Sequence, residues 1–96
     1  LGMGLFFEWD ASKARSNQRK HGIGFEEAAT VLSDPLSFTI LDPRSPRQGE
    51  VRYVTMGMSL RSRLLVVAHT DRGEIIRIIS ARKPTRHERL TYEEGA

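Results

Sequence analysis

Apolar residues recur at i, i+3, i+4 and i+7 in Phe25, Ala28, Ala29 and Leu32, and this spacing predicts a core-facing helix. Asp34-Pro35 closes it, because a residue before proline is driven out of the helical region. Upstream, Leu5-Phe6-Phe7 reads as a short strand. Trp9-Asp10 then opens a first helix. The Asp10 carboxylate is suited to accept from the unpaired N–H groups of the first turn, and Trp9 is placed to pack on Ala14 as a hydrophobic staple. This helix runs to about Lys20 and stops at Gly22. Its apolar face is thin, only Ala11 and Ala14. Lys13, Asn17 and Lys20 instead share a polar stripe, with His21 on its edge.

The period then changes to two. Leu36, Phe38 and Ile40 alternate with Ser37 and Thr39 as in a half-buried strand. Asp42 to Gly49, with two prolines and a glycine, reads as a loop. Strands follow over 52–59, 63–70 and 74–81, joined so tightly that they should pair as an antiparallel meander. Asp71-Arg72-Gly73 suits a three-residue hairpin loop with glycine at the left-handed position. Thr85 to Glu88 has the Thr-x-x-Glu form of a capping box and starts a last helix, whose clear aliphatic residue is Leu90. The fold class is therefore α+β: an antiparallel sheet of about four main strands, two N-terminal helices and a short C-terminal helix. Residues 1–96 are read as a single domain, with no internal repeat.

A three-residue loop has a consequence for the faces of the sheet. It sets Thr70 opposite Glu74 and His69 opposite Ile75. Side-chain parity then puts Leu65, Val67, His69, Ile75, Arg77 and Ile79 on one face, with His69 and Arg77 diagonal on neighbouring strands. Arg61 and Arg63 share that parity at the far end, and Tyr53 can join from the next strand. An arginine inside Glu74-Ile-Ile-Arg-Ile-Ile-Ser80 needs an explanation, since an unpaired charge in so apolar a strand is strongly unfavourable. Either Arg77 reaches water or a carboxylate such as Glu50 or Glu74, or it is a preorganised cation for phosphate. His69 likewise is either a satisfied structural residue or a functional one.

Composition narrows the chemistry. The chain has no cysteine, which excludes disulfides, thiolate metal sites and a cysteine nucleophile. No apolar run approaches membrane length, and no signal-peptide pattern is visible, so a cytoplasmic protein is expected. The net charge is +3, unevenly spread. Residues 1–35 hold four basic and five acidic side chains; the rest of the chain holds eleven basic and seven acidic, and all but one of those bases are arginine. Arginine offers a planar fork matched to phosphate, although a modest positive charge also serves solubility alone. His21, His69 and His87 are scattered, without metal-ligand spacing, so no metal and no cofactor is expected. A phosphate-binding glycine loop and a Gly-x-Ser-x-Gly elbow are both missing. Four Phe, two Tyr and one Trp spread along the chain make a poor stacking platform for single strands. Metal-free RNA cleavage survives these exclusions. The 2′-OH attacks its own phosphate, and the protein supplies a base, cations and an acid.

The N-terminal stretch from Phe7 to Pro35 carries Trp9-Asp10, Lys13, Asn17, Lys20-His21-Gly22 and Phe25-Glu26-Glu27-Ala28. Arg52-Tyr-Val-Thr-Met-Gly-Met-Ser59, Arg63 to Thr70 and Ile75 to Glu94 continue the pattern. In these motifs the chain resembles the BrnT-type toxins over nearly its whole length. Gly24, where a Ser or Thr cap is expected, and Pro84, where Ala is usual, depart from that pattern. The resemblance implies a RelE-like ribonuclease toxin of a type II toxin–antitoxin pair. It also implies a BrnA-type antitoxin that neutralises the toxin in a heterotetramer and binds operator DNA through its own domain. Among matching positions it points to Lys20, His21, His69, Arg77 and Arg82 as catalytic. His21 or His69 would be the general base or acid, and Lys20, Arg77 and Arg82 would stabilise the phosphorane. Arg61 and Arg63 would grip flanking phosphates. Lys13 and Asn17 serve either substrate or helix packing. Two other readings stand beside this one: a non-catalytic nucleic-acid-binding module, and a protein whose basic face only docks an acidic partner.

Overall fold

The computed structural model describes residues 6–44 and 50–95. Leu5, at the head of the expected first strand, and Ser45 to Gly49 of the expected loop lie outside the described residues. The elements are β1 (Phe6–Glu8), α1 (Ala11–His21), α2 (Phe25–Thr30) with a 3-10 turn (Val31–Ser33), β2 (Phe38–Leu41), β3 (Tyr53–Met58), β4 (Leu64–Arg72), β5 (Ile75–Arg82) and α3 (Arg86–Gly95). The strands form one sheet in the order β1-β5-β4-β3-β2. The meander β2 to β5 is antiparallel, as its short connections require. The expectation of about four antiparallel strands is corrected by β1, a fifth strand that lies parallel on β5, with Phe7 beside Ile76 and Glu8 beside Arg77. The intervening helices and meander supply the long crossover a parallel pair needs.

The sheet buries both faces, unequally. On one face Leu65, Val67, Ile76, Ile78 and Ala81 meet Ile23, Phe25, Ala28 and Val31 from the helical layer. Trp9 packs edge-on against Phe25, with ring centroids 6.0 Å apart. On the other face α3 covers only one end, where Tyr92 joins Met56, Leu64 and Val66. Tyr92, not Leu90, anchors this helix. Its ring stacks on Phe38 and its hydroxyl donates to Asp34 Oδ2 at 2.7 Å, whereas Leu90 is exposed. Gly57 lies on the helical face where the segment after the 3-10 turn crosses β3. A Cβ there would sit 2.7 Å from Ser37 Cβ, so only glycine admits the crossing.

The hairpin between β4 and β5 departs from the expected register. Its loop is two residues, Gly73-Glu74, with Arg72 opposite Ile75 and Thr70 opposite Arg77. Gly73 has φ +60 at the first loop position, where a II′ hairpin places glycine. Shortening the loop by one residue turns the β5 side chains from Ile75 to Ile78 over relative to β4. His69 and Arg77 therefore lie on opposite faces: His69 on the helix-covered one, Arg77 on the other. Further along, Ala68 faces Ser80 but His69 faces Ile78, so Ile79 is the extra residue of a β-bulge.

Candidate active site

The sequence-singled residues divide into three places. The first is a cleft at the free edge of β5. β1 pairs only with residues 75–77, which leaves the later part of β5 without a strand neighbour on that side among the described residues. Helix α1 fills the gap. Asp10 caps it, its Oδ1 accepting from the Lys13 N–H at 2.9 Å, and Gly22 ends it at φ +70. Asn17, only 6% exposed, clasps the strand edge: its Oδ1 accepts from Ala81 N–H at 3.1 Å and its Nδ2 donates to Ala81 O at 2.9 Å and Ile23 O at 3.1 Å. This is the packing role weighed for Asn17. It leaves no N–H of the amide free to meet a phosphate. Lys13, Ser16, Lys20 and His21 lie around Asn17 and, with bulged Ile79 and Ser80, line a cleft of about 200 Å³. The bulge matters here because it turns Ile79 out of the alternation and toward α1. Lys13 and Lys20 are exposed and His21 is half-buried. Their side chains make no hydrogen bond or ion pair among the described residues.

The second place is inside. His69 is 1% exposed, and both its ring nitrogens are engaged. Nδ1 lies 2.6 Å from Asp71 Oδ1 and Nε2 lies 2.7 Å from Thr55 Oγ1, which in turn meets Thr39 Oγ1 at 2.6 Å. The Tyr53 ring stacks on it at 6.0 Å. This chain ties β4, β3 and β2 together. It satisfies a buried imidazole and presents no nitrogen to solvent.

The third place is a set of arginines, of which Arg77, Arg63 and Arg82 are already held. Arg77 meets Glu8 Oε2 at 3.2 Å, so its carboxylate is neither Glu50 nor Glu74. Arg63 reaches across to α2, donating from Nε to Glu27 Oε2 at 2.9 Å and from Nη2 to Glu27 Oε1 and the Gly22 carbonyl. Arg63 holds the buried Glu27 carboxyl below its ordinary range against the opposing effect of burial, with the Ser59 hydroxyl helping. Arg61, on the same turn, is exposed beside Leu60. Arg82 grips Glu88 with both ends of its fork, at 2.8 and 3.0 Å. Glu88 also closes the expected capping box, accepting from Thr85 N–H at 2.8 Å while Thr85 Oγ1 accepts from Glu88 N–H at 3.1 Å.

Arg82 depresses the Glu88 carboxyl to about 2, with Thr85 assisting against desolvation. The folded value lies below the ordinary 4.5, so the stabilisation is complete above that pH and is lost as pH falls toward 2. Glu88→Gln should accordingly lower the melting temperature near neutral pH, and the gap to the parent should close by about pH 2. Melting curves across this range test it; a gap independent of pH would mean the ion pair does not hold α3.

Among the described residues no three His, Asp or Glu side chains gather as metal ligands, and no helix is long and apolar enough to cross a membrane. Comparison with known proteins adds a family. The model of the ribonuclease toxin BrnT of type II toxin–antitoxin systems matches residues 9–88. The crystal structure of the Brucella abortus ribonuclease toxin BrnT is similar in fold, with a TM-score of 0.60 at 21% identity, over 85% of this chain and 99% of that one. No curated protein matches the sequence.

Proposed function

Given that the chain belongs to the family of BrnT ribonuclease toxins of type II toxin–antitoxin systems, we propose that it is an endoribonuclease that cuts RNA without a metal ion. The reaction is internal attack. The ribose 2′-oxygen bonds to the adjacent phosphorus, the bond from phosphorus to the 5′-oxygen breaks, and a cyclic phosphate and a 5′-hydroxyl remain. One observation carries the reading: α1 sets Lys13, Lys20 and His21, all without partners among the described residues, around one cleft at the bulged edge of β5.

In this scheme His21 takes the 2′-OH proton, since an imidazole both accepts and returns protons near neutral pH. Lys20 and Lys13 offset the charge that develops on the phosphorane, and the Lys20 ammonium is a proton source for the departing 5′-oxygen. Exposed Arg61 and Arg77, half-buried against Glu8, are assigned to flanking phosphates; Arg82 and Arg63 position α3 and α2. His69 is assigned to the sheet. The 1–96 domain is read as a variant of the RelE-like plan, acting on mRNA in the cytoplasm. Its partner is read as a BrnA-type antitoxin, in a heterotetramer that reaches operator DNA through the antitoxin.

The test is incubation of the antitoxin-free protein with RNA in EDTA, followed by end analysis. Cleavage that leaves cyclic phosphates supports the reading. Cleavage abolished by EDTA overturns its metal independence. Binding without cleavage, on naked RNA and on translating ribosomes alike, would make the protein a nucleic-acid-binding module.

A further inference from the structure

Ser80 lines the cleft, and three residues further along the chain lies a different recess. Lys83 borders it, together with Met58, Ser62, Arg63, Leu64 and Arg89, and its volume is about 290 Å³. At about 3.3 Å per residue along an extended strand, Ser80 and Lys83 are roughly 10 Å apart. A single RNA strand in the cleft would meet this recess within a few nucleotides.

Two features set the recess apart. Lys83 and Arg89 are exposed, and their side chains make no ion pair or hydrogen bond among the described residues. The other arginine on its wall, Arg63, is held by Glu27. The recess therefore carries two uncompensated positive charges over a floor of Met58 and Leu64. The second feature is Ser62, whose φ of +63 is the only positive value at a non-glycine among the described residues. That conformation is unfavourable for an L side chain and persists only where the surroundings impose it. Here the turn is fixed by Ser59 N–H to Arg63 O at 2.8 Å and Ser62 N–H to Ser59 O at 2.9 Å. The turn sets Ser62 on the wall of the recess, opposite Lys83 and Arg89.

We propose that this recess is a second phosphodiester subsite for single-stranded RNA, outside the cleavage cleft. Lys83 and Arg89 bind the phosphate, and Met58 and Leu64 contact the sugar or base. The proposal rests on the ribonuclease reading and adds to it the length of substrate the protein grips. It predicts that a longer RNA is held by contacts a dinucleotide never reaches.

The test uses the double variant Lys83→Gln/Arg89→Gln, with circular dichroism to verify its fold. Affinity for a fully 2′-O-methylated oligonucleotide, which cannot be cut, is measured against salt, and cleavage of a dinucleotide is measured in parallel. Loss of this one phosphate contact on a single strand should reduce the slope of log affinity against log salt by about 0.7. Dinucleotide cleavage should be unchanged. An unchanged slope, with the parent protein still cutting RNA, overturns the subsite alone. A parent protein that neither binds nor cuts RNA removes the subsite and the ribonuclease reading together.

Discussion

His21→Ala should slow RNA cleavage by roughly 10²–10⁴-fold, the usual contribution of a positioned acid–base group, with little change in melting temperature. The reasoning begins with what His21 does not do. It is the last residue of α1, half-buried, and its ring holds no other side chain among the described residues. Removing it orphans nothing. His69→Ala should show the reverse. Its ring bonds the buried Thr55 hydroxyl and donates from Nδ1 to the exposed Asp71 carboxylate, so its loss leaves a buried hydroxyl poorly partnered and a void on the helical face. The melting temperature should fall, and the cleavage rate per folded molecule should hold. Paired melting and cleavage measurements separate the two histidines. A His69 variant that melts normally and cuts nothing would move the proton transfer to β4.

Sequence alone could not rank these histidines, and the reason is local. The β5 side chains up to the bulge take their faces from the length of one loop. Asp71-Arg72-Gly73 and Gly73-Glu74 are both sound hairpin loops, each with glycine where a positive φ is needed. The longer one sets His69 and Arg77 on one face; the shorter one sets them on opposite faces. The bulge at Ile79 was equally hidden, because neither a glycine nor a break in Ile-Arg-Ile-Ile marks it. What depends on chain-local chemistry was legible: the Asp10 cap, the Gly22 stop, the Thr85–Glu88 box and the polar stripe of α1 all stand where their residues point. What depends on distant partners was not. Nothing in the helix's own sequence singles out Tyr92, and only Asp34 and Phe38, far back in sequence, make it the anchor. The Arg63–Glu27 pair is of the same kind: opposite charges 36 residues apart carry no signal of contact.

Asn17→Leu should lower stability by roughly 3 kcal/mol or more, the largest loss expected from one substitution near the cleft. Leucine has a similar volume, so the change isolates the amide from the space it fills. Three backbone groups lose their partner at once: the N–H and the carbonyl of Ala81, and the carbonyl of Ile23. Each unsatisfied buried group costs about 1–3 kcal/mol, reduced where water can enter along the strand edge. Asn17→Asp should be no better, because a carboxylate accepts from Ala81 N–H but faces two carbonyls without a proton to offer. Denaturant unfolding measures both; a loss below about 1 kcal/mol for Asn17→Leu would show that water replaces the clasp. Cleavage should fall as well, by a different route from His21→Ala. The clasp is what fixes α1 against β5, and the cleft exists only where Lys20 and His21 on one element meet Ile79 and Ser80 on the other. A conservative amide, Asn17→Gln, should therefore recover part of the stability but less of the activity. Its longer stem can still bond Ala81, but only by moving the helix that carries Lys20 and His21.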